Sequence, residues 1–248
     1  DFVVTNWKIW NRNKNVEART FKRVKNELPE MESAKQLRKI IFKIYKPNMK
    51  ILDVGCASGH YYNSLKKIDN NLFYCGLDPT KAYINFGKKY FKSNKKVSFL
   101  LGDINKPPKR IKNHFDIVFS CNVLLHLPSI DKALVNLIHS SKKYCIIRTL
   151  ISEKTHLSKY LYSDKFDKMG NPKDFVYQNT YSFNYLKKII KSCGRYKIRL
   201  VEDKFESKTI NNEYKKFKNK QGAVTKVMDK IQLAGSKVFE WKWVIITK

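Results

Sequence analysis

The sequence runs to 248 residues, 42% of them hydrophobic, and carries 51 Lys and Arg against 21 Asp and Glu, a formal net charge of +30. A chain of this length and apolar content buries a substantial core as one domain with appendages. No run reaches the roughly 18 apolar residues of a membrane span and the start lacks a charged-then-apolar leader pattern, so a soluble, cytoplasmic protein is expected.

Cys56, Cys75, Cys121, Cys145 and Cys193 are scattered without a Cys-x-x-Cys pair, and the histidines show no metal-ligand spacing. Reduced thiols and no metal are therefore expected. The positive charge is mostly Lys and spreads over nearly every segment beside abundant Asn and Ile, as an AT-rich coding bias gives. It reads as a solvated face, with a phosphate-binding surface as the alternative.

A helical period comes first along the chain. Ala34, Leu37, Ile40, Ile41 and Ile44 share one face, Ser33 is placed to cap it and Pro47 follows, which makes residues 1–46 a helical lead-in. Five short apolar runs then recur as strands: Ile51 to Val54, Leu72 to Leu77, Val97 to Leu101, Phe115 to Ser120 and Tyr144 to Leu150. Crossover lengths separate the first four, and "SIDKALVNLIHSS" follows the fourth with helical spacing. Strand, crossover, strand, repeated, predicts a parallel sheet with helices on its faces. Residues 151–181 loosen into a polar stretch with interleaved Tyr and Phe, a covering segment whose aromatics can be buried. A helix over Ser182 to Ser192 and strands at Tyr196 to Glu202 and Trp241 to Thr247 complete seven strands. A Lys-rich insertion at 204–238 contains an expected helix, "AVTKVMDKIQL". No internal repeat is present.

The stretch "ILDVGCASGH", Ile51 to His60, ends the first strand in glycines and small residues, which let a ligand approach the backbone. A nucleoside triphosphate loop needs Gly-Lys-Ser/Thr, and His60 follows Gly59. A dinucleotide fingerprint needs a third glycine where His60 stands, and that side chain would crowd a pyrophosphate. Another adenosine compound remains.

Asp53 to Gly59, Asp-x-Gly-x-Ala-x-Gly, resembles the first motif of class I S-adenosylmethionine-dependent methyltransferases, and further motifs follow in the family's order. "YCGLDPT" supplies Asp78 where the family holds the ribose, "FLLGDI" supplies Asp103 and Ile104 beside the adenine, and "FDIVFSCNVLLHL" matches the motif bordering the transferred methyl. The resemblance implies a seven-stranded, mostly parallel Rossmann-like α/β sheet with helices on both faces over residues 47–248. It also implies S-adenosylmethionine as cofactor, with S-adenosylhomocysteine as product. The implied cofactor contacts are Asp53, Gly55, Cys56, Ala57, Gly59, Asp78, Pro79, Asp103, Ile104, Cys121 and Asn122. Ala57 departs from the usual middle glycine, which leaves the loop less freedom.

On the acceptor side, His126 is a candidate general base or a packed core histidine. Arg148, a cation in an apolar run, is an anchor for an anionic acceptor or one half of an internal ion pair, for example with an acid of "ELPEME". Tyr177, Asn179 and Tyr181 are the expected acceptor-facing lip. Trp7 and Trp10 pack the lead-in or close over the cofactor. The expected reaction is methyl transfer to a small-molecule or sugar acceptor. An RNA methyltransferase is the alternative favoured by charge, although "SCNVLLHL" lacks the Asn/Asp-Pro-Pro-Tyr/Phe type of base-amine enzymes. A binding module that has lost activity is the third reading, opposed by the intact acids Asp53, Asp78 and Asp103.

Overall fold

The computed structural model describes Trp10 and residues 13–217, 225–229, 231–234 and 237–248. The lead-in holds two helices, α1 (Lys14–Val24) and α2 (Glu32–Phe42). Asn13 caps α1 by accepting the Val16 N–H. Ser33, expected as a cap, instead lies in the first turn of α2, because its buried hydroxyl bonds the Tyr61 hydroxyl at 2.9 Å; Met31 occupies the cap position. Trp7 lies outside the described residues.

From there the chain alternates: β1 (Lys50–Val54), α3 (His60–Leu65), β2 (Phe73–Asp78), α4 (Lys81–Tyr90), β3 (Val97–Leu101), β4 (Phe115–Cys121), α5 (Asp131–Ser140) and β5 (Ser141–Ser152). The covering segment contributes β6 (Lys159–Leu161) and β7 (Phe175–Tyr177), an antiparallel pair, and β8 (Tyr181–Ser182), which adds to the end of β5. Next come α6 (Phe183–Cys193), β9 (Lys197–Glu202), α7 (Ser207–Phe217), β10 (Lys226–Met228), β11 (Ile231–Ala234), β12 (Lys237–Val238) and β13 (Trp241–Thr247). The helix expected from "AVTKVMDKIQL" is contradicted: its described part forms β10 and β11, which pair with β12 in a small antiparallel sheet. The alternation of Val227 inward with Lys226 and Met228 on the more exposed side suits a strand, and α7 forms upstream instead.

The main sheet runs β3-β2-β1-β4-β5-β13-β9, parallel through β5, with β13 antiparallel to both neighbours. Its seven strands are the expected ones, and β8, paired with β5, adds an eighth. Side chains alternate between its faces. Leu52, Val54, Val118, Ile147 and Val244 face α5 and α6 through Leu134, Leu137, Leu186 and Ile190. Ile51, Phe119, Ile146 and Trp243 face α2, α3 and α4 through Leu37, Ile41, Leu65 and Ile84. Because β1 to β4 are parallel with their order reversing between β1 and β4, their carboxyl ends meet at one edge, where open α/β sheets bind ligands. No helix among the described residues is long and apolar enough to cross a membrane.

Arg148 carries the polar load of the second half of the sheet. Its Nε and Nη2 donate to the two oxygens of Asp203 at 2.9 and 2.8 Å, and its Nη1 donates to Asn122 Oδ1 at 2.6 Å. The guanidinium lies 4.2 Å from the Trp241 ring centroid, a cation–π contact. Both side chains are almost fully buried, at 6% and 3% exposure. The internal ion pair is thus present, but its acid is Asp203 and not one from "ELPEME". A buried pair is costly to break from one side because a bare charge remains, whereas removing both halves is mild. Asp203→Ala should therefore cost about 3–5 kcal/mol in urea unfolding, and Arg148→Met combined with Asp203→Ala should cost less than Asp203→Ala alone.

Candidate functional site

The loop after β1 is built from left-handed residues. Gly55, Ala57 and Gly59 have φ of 76°, 47° and 87°. A Cβ on Gly55 would lie 2.1 Å from Val123 Cγ2, and one on Gly59 would lie 2.7 Å from the Phe99 ring. Only glycine fits at those two points. Ala57 stands in the same region, at a cost of about 1–2 kcal/mol for a residue with a Cβ, and its conformation is held by its N–H, which donates to Asp78 Oδ2 at 2.9 Å.

Asp78 ends β2. Its other oxygen accepts the Thr80 N–H at 2.8 Å, so one carboxylate fixes both the glycine loop and the entry to α4. Burial pushes its carboxyl up to about 6 despite those two donors. The Thr80 hydroxyl bonds the same carboxylate, and a carboxylate's roughly four lone-pair sites still leave room for a ligand hydroxyl. Asp103, after β3, is shaped by its own turn, with Oδ1 accepting the Asn105 N–H at 2.9 Å.

These loops surround a cleft of about 270 Å³. Its floor is Val54, Gly55 and Ala57. One side is Asp78, Pro79, Thr80 and Tyr83, another Gly102, Asp103 and Ile104, and a third Cys121, Asn122 and Val123 with His126 and Leu127. The fourth wall comes from the lead-in: Val16, Arg19 and Thr20 of α1, with Trp10. Sequence reading missed the α1 wall and Tyr83. An amphipathic helix announces a buried face, and nothing in its pattern tells a core from a ligand wall. Trp10, considered for closing over the cofactor, does stand on the wall, edge-on to His126 with centroids 5.3 Å apart.

Three expected contacts lie behind the cleft. Asp53 is 1% exposed and alternates to the opposite side, where its Oδ2 accepts the Tyr74 hydroxyl at 2.6 Å. Cys56 is fully buried with its thiol against its own loop, and Gly59 works as the start of α3. Asp53, Cys56 and Gly59 therefore shape the turn from within.

His126 is half-buried on the cleft wall, and its Nδ1 bonds the Tyr177 carbonyl at 2.7 Å. A carbonyl only accepts, so Nδ1 carries the proton and Nε2 is left with its lone pair. Burial and the Lys237 charge, opposed by the Tyr177 bond, hold the imidazole down to about 4, so it is neutral near pH 7. The expected lip turns inward. Asn179 is fully buried, donating to Leu127 O at 2.9 Å and accepting the Ser158 N–H, and Tyr181 donates to Leu124 O at 3.2 Å. Tyr177 serves through its carbonyl. Asn179 and Tyr181 are thus corrected from acceptor contacts to clamps on the turn bearing His126, because their polar atoms are spent on backbone. Arg148, held by Asp203, is likewise corrected from a free anion anchor.

The charged groups on the cleft wall suit S-adenosylmethionine better than a phosphate compound. Two carboxylates, Asp78 and Asp103, outnumber the one cation on the wall, Arg19, a balance that favours a ligand carrying hydroxyls, an amine and a sulfonium over a pyrophosphate, while Val16, Ile104 and Leu127 offer apolar area to an adenine. No metal-ligating cluster occurs among the described residues.

Residues 45–221 match a family described as "Methyltransferase domain". No curated protein matches the sequence. Among solved structures, the chain is similar to a Thermotoga maritima SAM-dependent methyltransferase, a possible histamine N-methyltransferase, at 16% identity and TM-score 0.56, covering 98% of this chain and 99% of that one. It is also similar to a sarcosine dimethylglycine methyltransferase of Galdieria sulphuraria at 13% identity and TM-score 0.55, over 88% and 84% of the two chains. A third is magnesium protoporphyrin IX methyltransferase of Synechocystis with bound SAM, at 12% identity and TM-score 0.51, over 86% and 79%. At these identities the structural likeness speaks to the fold.

Burial, reinforced by the Asp78 charge and opposed by the Tyr74 hydroxyl, pushes the Asp53 carboxyl up to about 8. The folded state then holds a proton that the unfolded chain releases near pH 4. This stabilises the ligand-free protein fully below about pH 4 and is lost as pH rises through about 8, by up to about 1.4 kcal/mol per pH unit. Asp53→Asn, uncharged and isosteric, should gain stability relative to the unmodified protein as unfolding is measured from pH 5 to pH 9. A difference that does not change with pH would contradict a protonated Asp53.

Proposed function

We propose that this chain, which belongs to the methyltransferase-domain family and is an S-adenosylmethionine-dependent methyltransferase, methylates a small molecule or sugar rather than RNA. The observation that carries this reading is the lead-in. Helix α1 lies along the cleft with Val16, Arg19 and Thr20 on its wall, and Trp10 stands against His126, so the lead-in flanks the approach to the fourth-strand turn. A compact acceptor passes such a wall more readily than a nucleic acid that must also lay its backbone along a charged track. The Lys residues spread over nearly every segment of the sequence rather than gathering in one.

When bound, S-adenosylmethionine supplies an electrophilic methyl on its sulfonium. The protein's part is then placement and proton management. Asp78 would hold a ribose hydroxyl on its spare lone pair, Asp103 and Ile104 would border the adenine, and Gly55 would admit the methionine end to the backbone. Cys121 and Asn122 would border the methyl. His126, its tautomer set by the Tyr177 carbonyl, would offer Nε2 to an acceptor proton. Proximity alone supplies much of the acceleration for so reactive a methyl, so the proton acceptor is a secondary contribution.

The test is transfer of labelled methyl from the cofactor to a metabolite extract beside an RNA pool. Label should enter the small-molecule fraction. RNA should bind only at low salt, losing about a thousandfold in affinity between 50 and 200 mM if six or more phosphates are contacted. Methyl incorporation at a defined RNA site at physiological salt would reverse the assignment. With the labelled metabolite as acceptor, His126→Ala should lower kcat by roughly a hundredfold to ten-thousandfold with cofactor affinity unchanged. A lowered melting temperature with a normal rate would make His126 a packing residue.

A further inference from the structure

The amino ends of the strands carry a second cavity, of about 400 Å³, on the edge of the sheet opposite the cofactor cleft. The sheet lacks a helical roof there. The connection from β3 to β4, residues 102–114, holds no α-helix, only a 3-10 turn, Lys109–Ile111, and no residue of an α-helix lines the cavity among the described residues. Cys75 pairs with Ser98 and Leu77 with Leu100, so Phe73, Cys75, Ser98 and Leu100 share one face of β2 and β3. Helix α4 packs the other face through Ile84 against Tyr74 and Phe99. On the unroofed face Ser98 is exposed, and Phe73 and Leu100 are half-buried. Ile111 and Phe115, both buried, close the floor.

Charge narrows the ligand class. Lys50 at the start of β1, Lys95 and Lys96 before β3, Arg110 in the 3-10 turn and His114 before β4 all line the space, and no acid does. A net charge of +30 does not by itself produce such a lining, because the cofactor cleft includes Asp78 and Asp103, and two further cavities include Glu30 and Glu32. Two acids lie nearby. Asp116 pairs with Lys143 at 3.0 Å and accepts the Lys50 N–H, while Asp69 accepts the Tyr45 hydroxyl and feels the Lys96 charge. Lys96 also lies 5.1 Å from the Phe73 ring centroid. The side chains of Lys50, Lys95 and Arg110 make no ion pair among the described residues. Arg110 bears on the floor itself: burial pushes the Cys75 thiol up, and the Ser98 hydroxyl and the Arg110 charge oppose that rise.

We propose that this cavity is a second ligand site, that it takes a small organic anion with a ring-sized apolar body, and that Arg110 and Lys96 meet the anionic group while the body lies over Phe73, Leu100 and Phe115. Apolar floor and cationic rim are the two halves of such a ligand. The site goes beyond methyl transfer and does not rest on it, since Phe73 and Asp78 are opposite ends of β2, about 16 Å apart at a strand's rise per residue.

Anilinonaphthalene sulfonate and its uncharged parent, phenylnaphthylamine, share a body and differ by the sulfonate. Fluorescence titration of both, with S-adenosylhomocysteine added to fill the cofactor cleft, tests the site. The sulfonate should bind saturably and about tenfold more tightly than the parent, the weight of one charge-assisted contact. Lys96→Gln combined with Arg110→Gln should weaken the sulfonate by about tenfold and leave the parent within about twofold. Lys188→Gln combined with Lys191→Gln removes the same charge from α6, away from the cavity, and should leave both probes within about twofold. Ser98→Phe fills the cavity from its floor and should abolish binding of both probes. Each variant should keep the cooperative thermal unfolding of the unmodified protein, which separates a lost site from a lost fold. Equal binding of the two probes, sulfonate binding that survives Ser98→Phe, or an equal loss in the α6 variant overturns the proposal.

Discussion

The Asp78 carboxylate is the constraint on which the site depends. It receives the N–H of Ala57 from the loop after β1 and the N–H of Thr80 at the start of α4, so two loops that would otherwise leave buried donors unpaired share one acceptor. The left-handed backbone at Gly55, Ala57 and Gly59 turns the Ala57 N–H inward, and parallel pairing of β1 with β2 brings Asp78 within reach. The arrangement holds a charge in a place that disfavours it, which is why the carboxyl is raised. A ligand that donates a hydroxyl to Asp78 would relieve part of that cost, so the ligand-free site is poised for a donor.

On the other side of the cleft, buried polar groups set geometry in a different way. Asn179 and Tyr181 bind the backbone of the turn after β4, and the Tyr177 carbonyl fixes His126. Arg148 and Asp203 join β5 to the end of β9, with Trp243 Nε1 donating to the same acid at 3.1 Å. Such networks, once every member is satisfied, hold side chains in one arrangement. His126 is thus positioned from two elements, and the covering segment acts as a strut for the fourth-strand turn.

Much of this was legible in the sequence, for physical reasons that also mark the boundary of what was not. Apolar runs of four to seven residues at crossover spacing give β1 to β5, since the central strands, buried on both faces, have little freedom in composition. The glycine turn was legible because positive φ and close approach demand particular residues. Asp53 was misplaced because a motif fixes where a backbone goes while side-chain alternation fixes which way it faces, and at Asp53 the side chain turns away from the cleft toward Tyr74. Arg148 was recognised as needing a partner, yet Asp203 lies 55 residues on, and no local pattern reports a pairing made by tertiary structure. The segment 223–233 has apolar spacing that reads as helix, and the antiparallel pairing of its described part with β12 overrides it. The wall supplied by α1 was invisible for the same reason: a helix face says that it is covered, and the covering group belongs to the tertiary fold.

Calorimetry of S-adenosylhomocysteine and NAD on the unmodified protein and on Asp78→Asn tests the central claim most directly, namely that Asp78 and the glycine loop form an adenosine site without phosphate recognition. S-adenosylhomocysteine should bind the unmodified protein, adding about 2.7 kcal/mol of stability at a hundredfold above its Kd, and should bind the folded variant far more weakly, while NAD binds neither. Binding of NAD in place of S-adenosylhomocysteine, or undiminished S-adenosylhomocysteine affinity in Asp78→Asn, would contradict it.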